Sequence, residues 1–204
     1  MGTARLEPLP LHSETPLEWA DRVLEHPLEL LCDHAHLERK AALNAIFLIS
    51  HWPDREGLVE TMSVIAREEL EHLALVHKRI RAMGATLQHE HASPYARGLQ
   101  ECVRKGTPAH LLDRLLVAGL IEARSCERFE RLAASPAAGT ELADFYGSLC
   151  ASERGHYKVF CNLARREYGR EVADARFEEL LAHEAGLLDS IPFEPALHTG
   201  LTPR

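Results

Sequence analysis

Two copies of a Glu-x-x-His motif occur in segments that have the periodicity of long helices. Glu69 stands three residues before His72 in REELEHLAL, and Glu153 stands three residues before His156 in SERGHYKVF. Residues i and i+3 of an α-helix point the same way, so one carboxylate and one imidazole can reach the same metal ion. Each motif also falls on an apolar face, where a carboxylate is costly unless it is paired or binds a metal. The two copies therefore predict a pair of metal-binding helices.

Two further glutamates complete a set of six candidate ligands. Glu38 in HAHLERKAA and Glu122 in GLIEARSCERF lie on the apolar faces of the two other long segments. Glu38 precedes Glu69 by 31 residues, and Glu122 precedes Glu153 by the same number. Four-helix proteins with dinuclear carboxylate centres take one Glu from each of two helices and Glu-x-x-His from each of the other two. We therefore expect two equivalent helical hairpins around a dinuclear site whose ligands are Glu38, Glu69, His72, Glu122, Glu153 and His156.

Two other glutamates compete for these positions. Glu68 is four residues before His72 and can also approach it on the same helix face. Glu127 is a rival for the lone carboxylate of the third long segment, but it precedes Glu153 by only 26 residues and breaks the symmetry. The set of six listed above is therefore the favoured interpretation.

Two side chains lie one or two helical turns from the expected ligands. His34 is one turn before Glu38 and is either a hydrogen-bond donor to the ligand set or a core histidine. Tyr146 lies two turns before the second motif and either approaches the site or belongs to the packing. His89 and His91 fall in a loop pattern and are interpreted as surface residues.

The motifs require long helices to position them, and proline and glycine residues divide the chain into such segments. Four of the segments are 25 to 31 residues long, and no segment shows convincing strand alternation. We therefore predict an all-α four-helix bundle with additional short helices, in one domain over residues 1–204 with its core at about 28–169. The helical blocks cover residues 17–26, 28–52, 54–84, 95–106, 109–134, 140–169 and 171–190, followed by an extended tail at 191–204.

Composition restricts the class of protein. The apolar fraction of 46% is sufficient for a folded core, and no window approaches 18 uninterrupted apolar residues, so no membrane-spanning helix is expected. The first residues lack the apolar core of an export signal. The five cysteines are odd in number and form no CxxC pair, which is typical of reduced thiols. We expect a cytoplasmic protein without membrane contact.

The ligand types restrict the metal. Mixed carboxylate and imidazole ligands without thiolate favour iron or manganese over structural zinc. A pair of Fe(II) ions can activate dioxygen, and an apolar wall protects the oxidant from water. The ligands alone leave an oxygenase, a peroxidase, a catalase and an iron-storage protein open. The alternatives retained are a ferritin- or rubrerythrin-like protein that handles iron or peroxide, and a manganese catalase-like enzyme.

Several segments resemble the signature segments of the MiaE family, the bacterial tRNA 2-methylthio-isopentenyladenosine hydroxylases. They are LCDHAHLERKAALNAI, AREELEHLALV, LLVAGLIEARSCERFERLA and FYGSLCASERGHYKVF, and the final LHTG resembles the family's closing segment. The likeness runs from about Leu28 to Gly200, and all six candidate ligands match the family's iron ligands. The chain departs from the common family pattern at Leu37, Arg39 and Glu71, none of which is a proposed ligand.

The resemblance implies a ferritin-like bundle and a definite reaction. A diiron centre uses O2 and two electrons from an external donor, of ferredoxin or reductase type, to hydroxylate the isopentenyl group of a modified adenosine beside the anticodon. The tRNA base would leave the loop so that its apolar side chain enters the bundle. The metal ligands suffice for this chemistry without a side-chain nucleophile. Arg124 and Glu127 of RSCERF are expected to support the ligands from outside.

The net charge of −8 does not exclude a tRNA partner, because two Fe(II) ions would offset half of it and phosphate contacts require only a local basic patch. Three basic clusters lie near helix ends, where they are also explained by the helix dipole or by solvation. The sequence does not fix the oligomeric state. The candidate tRNA-binding residues are Lys78, Arg79, Arg81, Arg104, Lys105, Arg165, Arg166 and Arg170.

Overall fold

The computed structural model describes residues 8–200, which form α-helices, one 3-10 turn and no strand. The all-α architecture expected from the sequence is thereby confirmed. No helix in this range is long and apolar enough to cross a membrane. The helices are α1 (Leu17–Leu24), α2 (Pro27–His51), α3 (Glu56–Ala82), α4 (Pro94–Glu101), α5 (His110–Ala134), α6 (Gly139–Tyr168) and α7 (Arg170–Ser190), and the 3-10 turn is Pro136–Ala138.

Proline, serine and glycine residues set the helix ends. Pro27 and Pro94 each occupy the first position of a helix, where a missing backbone N–H costs nothing. Ser93 caps α4, since its hydroxyl oxygen accepts a hydrogen bond from the backbone N–H of Ala96 at 3.2 Å. Gly84 and Gly169 follow α3 and α6 with φ of 74° and 85°, a conformation that favours glycine.

The fourth helix is shorter than the block predicted at 95–106. It ends at Glu101, and the chain then turns towards α5. The turn is held by Arg104, whose backbone N–H and guanidinium Nε both donate to Asp113 Oδ2 at 2.8 Å. This contact with the next helix outweighs the weak helical preference of the segment.

The four long helices pack as two antiparallel hairpins. Close backbone approach is concentrated within the α2–α3 pair and the α5–α6 pair, so space remains between the hairpins. Gly119 allows α5 and α6 to approach, because a Cβ atom there would lie 3.2 Å from Phe160 Cβ. Helix α7 packs on α5 and α6, and the short helices α1 and α4 pack on α2 and α5 and on α7, respectively.

Two contacts show which helix ends share one end of the bundle. The rings of Trp52 and His110 are 5.3 Å apart, which places the end of α2 beside the start of α5. Arg55 pairs with Glu167, which places the start of α3 beside the end of α6. We call this side, where α5 begins, the α5 N-terminal end.

Candidate metal centre

All six candidate ligands lie in the middle of the long helices and point into the space between the hairpins. Their exposed fractions range from 0% to 8%, so all six are buried. Potential ligand atoms of Glu38, Glu69, His72 and Glu153 lie within 4.8 Å of one another, and so do those of Glu69, Glu122 and His156. Glu69 belongs to both groups and therefore lies between two adjacent positions for a cation. The structure thus brings together the side chains that the repeated spacing singled out.

The distances show how tightly the groups converge. His72 Nδ1 lies 3.4 Å from Glu153 Oε1 and 3.6 Å from Glu38 Oε2. His156 Nδ1 lies 2.7 Å from Glu69 Oε1, and the two histidine rings are 6.0 Å apart. Each histidine directs its Nδ1 towards carboxylates of other helices, as expected for ligands that share ions.

The orphaned atoms in this cluster fit a metal site. Both carboxylate oxygens of Glu69, Glu153 Oε1, and the Nδ1 atoms of His72 and His156 are buried without a hydrogen bond of acceptable geometry. Such atoms are rarely left unsatisfied in a folded protein. Mixed oxygen and imidazole donors without thiolate suit iron or manganese. The residues present therefore fit a pair of such ions.

The pKa values of the clustered side chains indicate a site that requires additional positive charge. Burial raises the pKa of Glu153 well above its usual range, and it raises the pKa of Glu122 to about 7. Burial opposes the charge of His72, but Glu38 and Glu69 outweigh it and raise the histidine pKa to about 10. Without metal, protons therefore replace the missing positive charge.

We expect the metal-free protein to lose stability as pH rises from about 5 to about 9. The folded-state pKa of Glu122 is about 7, against 4.5 for a free glutamate, and those of His72 and His156 are about 10 and 9, against 6.5. A group whose pKa is higher in the folded than in the unfolded state contributes its full stabilisation at pH values below the unfolded-state pKa. This contribution to the free energy of unfolding is lost as the pH rises through the folded-state pKa. Urea unfolding across this range, with and without a divalent metal, measures the effect.

The metal-loaded protein is the control for this pH series. Bound metal requires deprotonated ligands, so its stabilising effect should grow as pH rises. A metal-free stability that is flat or rises over this interval would contradict the cluster's electrostatics.

His34 and Tyr146 lie beside the cluster. His34 Nε2 is 2.6 Å from Glu38 Oε1. Burial raises the pKa of Glu38, but hydrogen bonds with His34 and His72 outweigh it and lower the pKa to about 2. The ring of Tyr146 stacks on His34 at 5.6 Å, but its buried hydroxyl has no hydrogen-bond partner. His34 is thus in direct contact with a candidate ligand, whereas Tyr146 packs against the ring of that histidine.

Glu68 reaches a different histidine from the one that its spacing suggested. Its Oε2 lies 2.9 Å from Nε2 of His156 on α6, and it is not placed against His72 of its own helix. The hydrogen bond fixes the His156 tautomer with the proton on Nε2, which leaves Nδ1 free to bind a cation. The sequence could not show this contact because it depends on how α3 and α6 face each other.

We expect Glu68→Gln to weaken metal binding by about 10- to 100-fold while leaving the fold intact. An amide accepts the imidazole N–H less strongly than a carboxylate does, so His156 becomes a poorer and less well oriented ligand. Titration of the metal-free protein with Fe(II) under anaerobic conditions measures the affinity. Glu71→Gln, an exposed change on the same helix, is the matched control, and an equal effect in both variants would contradict the role of Glu68.

A cavity of about 400 Å³ connects the cluster with the α2 and α5 surfaces. Its floor includes Glu38, Glu69, Glu122 and Glu153, and most of its wall is apolar. Part of this lining was not expected from the sequence. The tail closes one side with Leu197 and His198, and the outer part of the wall includes Asn44, Phe47, Gln100 and Arg114.

The tail holds its place through polar contacts that no sequence motif marks. The backbone N–H of Leu197 donates to Asp33 Oδ2 at 2.8 Å, and His198 Nε2 lies 3.1 Å from the Ser125 hydroxyl. The predicted extended tail therefore forms part of the cavity wall.

Arg124 and Glu127 lie in a separate buried network, which differs from the expected support of the metal ligands. Arg124 donates to Glu184 of α7 at 2.7 and 3.0 Å and to Glu127 at 3.1 Å. Glu127 accepts hydrogen bonds from both the backbone and the hydroxyl of Thr15, ahead of α1. These side chains point towards α7 and the amino-terminal segment because they lie on the opposite face of α5 from Glu122.

Several of the candidate tRNA-binding cations are already paired. Arg79 contacts Glu141 at 2.9 Å, Arg104 contacts Asp113 at 2.7 Å and Arg165 contacts Asp174 at 2.6 Å. These arginines therefore carry less free positive charge than the sequence suggested. Arg166 is exposed but lies 3.6 Å from Glu167. The remaining candidates, Lys78, Arg81, Lys105 and Arg170, are exposed.

Comparisons with known proteins agree with this geometry. Residues 7–199 match the family model described as MiaE, tRNA-(MS[2]IO[6]A)-hydroxylase. A Pseudomonas putida protein named tRNA 2-(methylsulfanyl)-N(6)-isopentenyladenosine(37) hydroxylase is 40% identical over 188 residues, covering 92% of this chain and 90% of that protein. A Salmonella typhimurium protein of the same name is 35% identical over 144 residues, covering 71% of this chain and 52% of that protein.

A solved structure is similar over almost the whole fold. It is described as protein 43 with aldehyde deformylating oxygenase activity from Synechococcus, with a TM-score of 0.88 and 38% identity. The match covers 93% of this chain and 96% of that one. With matches of this length and its buried carboxylate and histidine cluster between two hairpins, the chain belongs to the MiaE family of tRNA hydroxylases.

Proposed function

We propose that this chain is an O2-dependent non-haem diiron monooxygenase. Its substrate would be the isopentenyl group of 2-methylthio-N6-isopentenyladenosine in tRNA, next to the anticodon. The observation that carries this proposal is the floor of the cavity, where four candidate metal-binding carboxylates meet an otherwise mainly apolar wall. A short branched hydrocarbon chain fits such a wall, and its end would lie beside the metal positions.

The six clustered side chains would hold the two iron ions. Bound iron would supply the activation of O2 with two external electrons, so that one oxygen atom enters a C–H bond of the substrate and the other leaves as water. His34 and Glu68 would keep Glu38 and His156 oriented through the hydrogen bonds described above.

The apolar part of the cavity wall would position the isopentenyl group and exclude water. Leu37, Ala118, Ile121 and Phe129 line the wall beside the carboxylates. Apolar side chains at these positions offer the isopentenyl group contacts and leave no hydrogen-bonding group to hold water there. We infer that residues 8–200 act as a single domain, since the short helices and the tail all pack on the same bundle.

The two electrons would come from an external partner of ferredoxin or reductase type. A tRNA substrate also places the proposed reaction in the cytoplasm. Purified protein, loaded with iron and supplied with O2 and a reductant, should convert the isopentenyl nucleoside of tRNA into a product heavier by one oxygen atom. Mass spectrometry of digested tRNA measures this conversion. Unchanged nucleoside with a fully loaded iron site would overturn the proposed substrate.

The Synechococcus structure supports a second candidate function. Because that similar protein is described as having aldehyde deformylating oxygenase activity, an aldehyde is a second substrate class that the apolar cavity could hold. The same iron-loaded protein should be offered an aliphatic aldehyde in place of tRNA. Aldehyde turnover without tRNA hydroxylation would favour this candidate, and the reverse would favour the tRNA hydroxylase.

A further inference from the structure

One cation in the outer cavity wall has no acidic partner. Arg114 is half-buried, and its terminal nitrogens donate to the side-chain oxygens of Gln100, at 2.8 Å, and of Asn44. Its guanidinium also lies over the ring of Phe47, with 4.5 Å between Cζ and the ring centroid. All these partners are neutral. Within residues 8–200 Arg114 forms these neutral contacts and no ion pair, and burial lowers its pKa.

The other cationic side chain that lines the cavity differs in this respect. Lys40 forms an ion pair with Glu90, which also accepts a hydrogen bond from Arg39. Lys40 therefore has an acidic partner, which Arg114 lacks among residues 8–200. Arg114 keeps a full positive charge in a partly desolvated position, which is unfavourable unless a ligand supplies the opposite charge.

Arg114 also retains donors for such a ligand. A guanidinium has five N–H groups, and the two hydrogen bonds to Asn44 and Gln100 use one N–H on each terminal nitrogen. One further N–H remains on each of these atoms. Asn44 of α2 and Gln100 of α4 hold the guanidinium from two helices, and Phe47 supports its face. The planar, forked guanidinium group is thus held in one orientation, as in sites that bind phosphate or carboxylate groups.

We propose that Arg114 binds a phosphate group of the nucleotide whose isopentenyl side chain occupies the cavity. This inference rests on the proposed function. Arg114 and Glu122 are eight residues apart on α5, which corresponds to about 12 Å along the helix axis. The isopentenyl chain, the purine and the ribose separate the reacting methyl group from the nearest phosphates, so a spacing of this order places Arg114 at the phosphate rather than at the reacting carbon.

The charges around Arg114 are consistent with an RNA backbone. The cavity extends from the metal cluster towards the α5 N-terminal end, where the contacts of Trp52 and Arg55 bring four helix ends together. Exposed Lys105 and Arg170 lie at this same end. Phosphates on either side of the bound nucleotide would therefore meet further positive charge.

The test compares two substrates that differ only in phosphate. They are 2-methylthio-N6-isopentenyladenosine as the free nucleoside and as its 3′,5′-bisphosphate. For the wild-type iron-loaded enzyme, kcat/KM should be higher for the bisphosphate, and added salt should reduce that preference. In Arg114→Gln, kcat/KM for the bisphosphate should fall about 10- to 100-fold, as expected for loss of a charged hydrogen bond, while the nucleoside value stays within about twofold.

Two further variants sharpen the comparison. Arg114→Lys keeps the charge but loses the fork, so it should retain part of the preference for the bisphosphate. Arg67→Gln, an exposed change on α3 away from the cavity lining, should leave kcat/KM unchanged for both substrates.

The possible outcomes separate this inference from the proposed function. Equal losses on both substrates in Arg114→Gln, or no loss on either, would overturn the phosphate role while leaving the hydroxylase intact. If the wild-type enzyme converts neither substrate and also fails on tRNA, the proposed function falls and the phosphate role falls with it.

Discussion

Glu153→Gln is expected to lower the rate of tRNA hydroxylation by more than about 100-fold. Loss of a residue that only supports a metal ligand lowers activity by about 10- to 100-fold, and loss of a ligand should exceed that range. The same change should raise the thermal stability of the metal-free protein. Glu153 is buried among other carboxylates, and burial raises its pKa well above the usual range. A neutral amide of the same size removes a carboxylate that is costly to bury without metal. Activity on tRNA and thermal unfolding of the metal-free protein measure the two effects.

The matched control is Glu141→Gln, because Glu141 lies on the same helix and is exposed. This variant should keep both activity and stability, since surface ion pairs contribute little. A Glu153→Gln protein that keeps most of its activity, or whose metal-free form is clearly less stable than wild type, would contradict the role given to this carboxylate.

Arg124→Met is expected to destabilise the fold by about 3–5 kcal/mol, the usual effect of removing one partner of a buried ion pair. Arg124 is 0% exposed and joins α5 to Glu184 of α7 and to Glu127. Its loss leaves the Glu184 carboxylate buried with Tyr95 as its remaining hydrogen-bond donor. Urea unfolding of the metal-free protein measures the change.

Two further variants test whether the loss of stability arises from the unpaired Glu184 carboxylate. Arg67→Met removes an exposed arginine that is 4.0 Å from Glu71 and should cost less than about 1 kcal/mol. Adding Glu184→Leu to Arg124→Met removes the unpaired charge and should recover part of the stability. A small effect of Arg124→Met alone would show that this network does not fasten α7 to the bundle.

The four long helices and the convergence of the candidate ligands could be predicted from sequence because both depend on local periodicity. A Glu-x-x-His pair fixes its own geometry within one helix, and the equal spacing from Glu38 to Glu69 and from Glu122 to Glu153 reflects two equivalent hairpins. These features do not require knowledge of how distant helices are rotated against each other. The structure accordingly places all six side chains in one cluster.

Contacts between helices could not be predicted in the same way. Glu68 was compared with His72 of its own helix, whereas the structure pairs it with His156 of another. The resemblance of RSCERF to the MiaE family favours a role for Arg124 and Glu127 beside the ligands, yet a few residues along a helix are enough to turn a side chain to the opposite face. Local spacing predicted which side chains cluster, but the residues around them depend on helix rotation.

Some of the residues that line the cavity also could not be predicted from the sequence. Arg114 stands in an apolar helix pattern, and only its neutral partners and missing counter-charge distinguish it from a surface arginine. Leu197 and His198 belong to a proline-marked segment with no helical pattern, but their backbone and side-chain contacts seat them on the cavity. Such residues become visible only when the helices are assembled.

We propose that two iron ions lie between the two hairpins, held by the six clustered side chains. The most direct measurement is a crystal structure of anaerobically iron-loaded protein, with anomalous diffraction recorded on both sides of the iron absorption edge. We predict two neighbouring iron peaks in contact with Glu38, Glu69, His72, Glu122, Glu153 and His156. Iron peaks elsewhere, or fully loaded protein with no peak between these side chains, would contradict the claim.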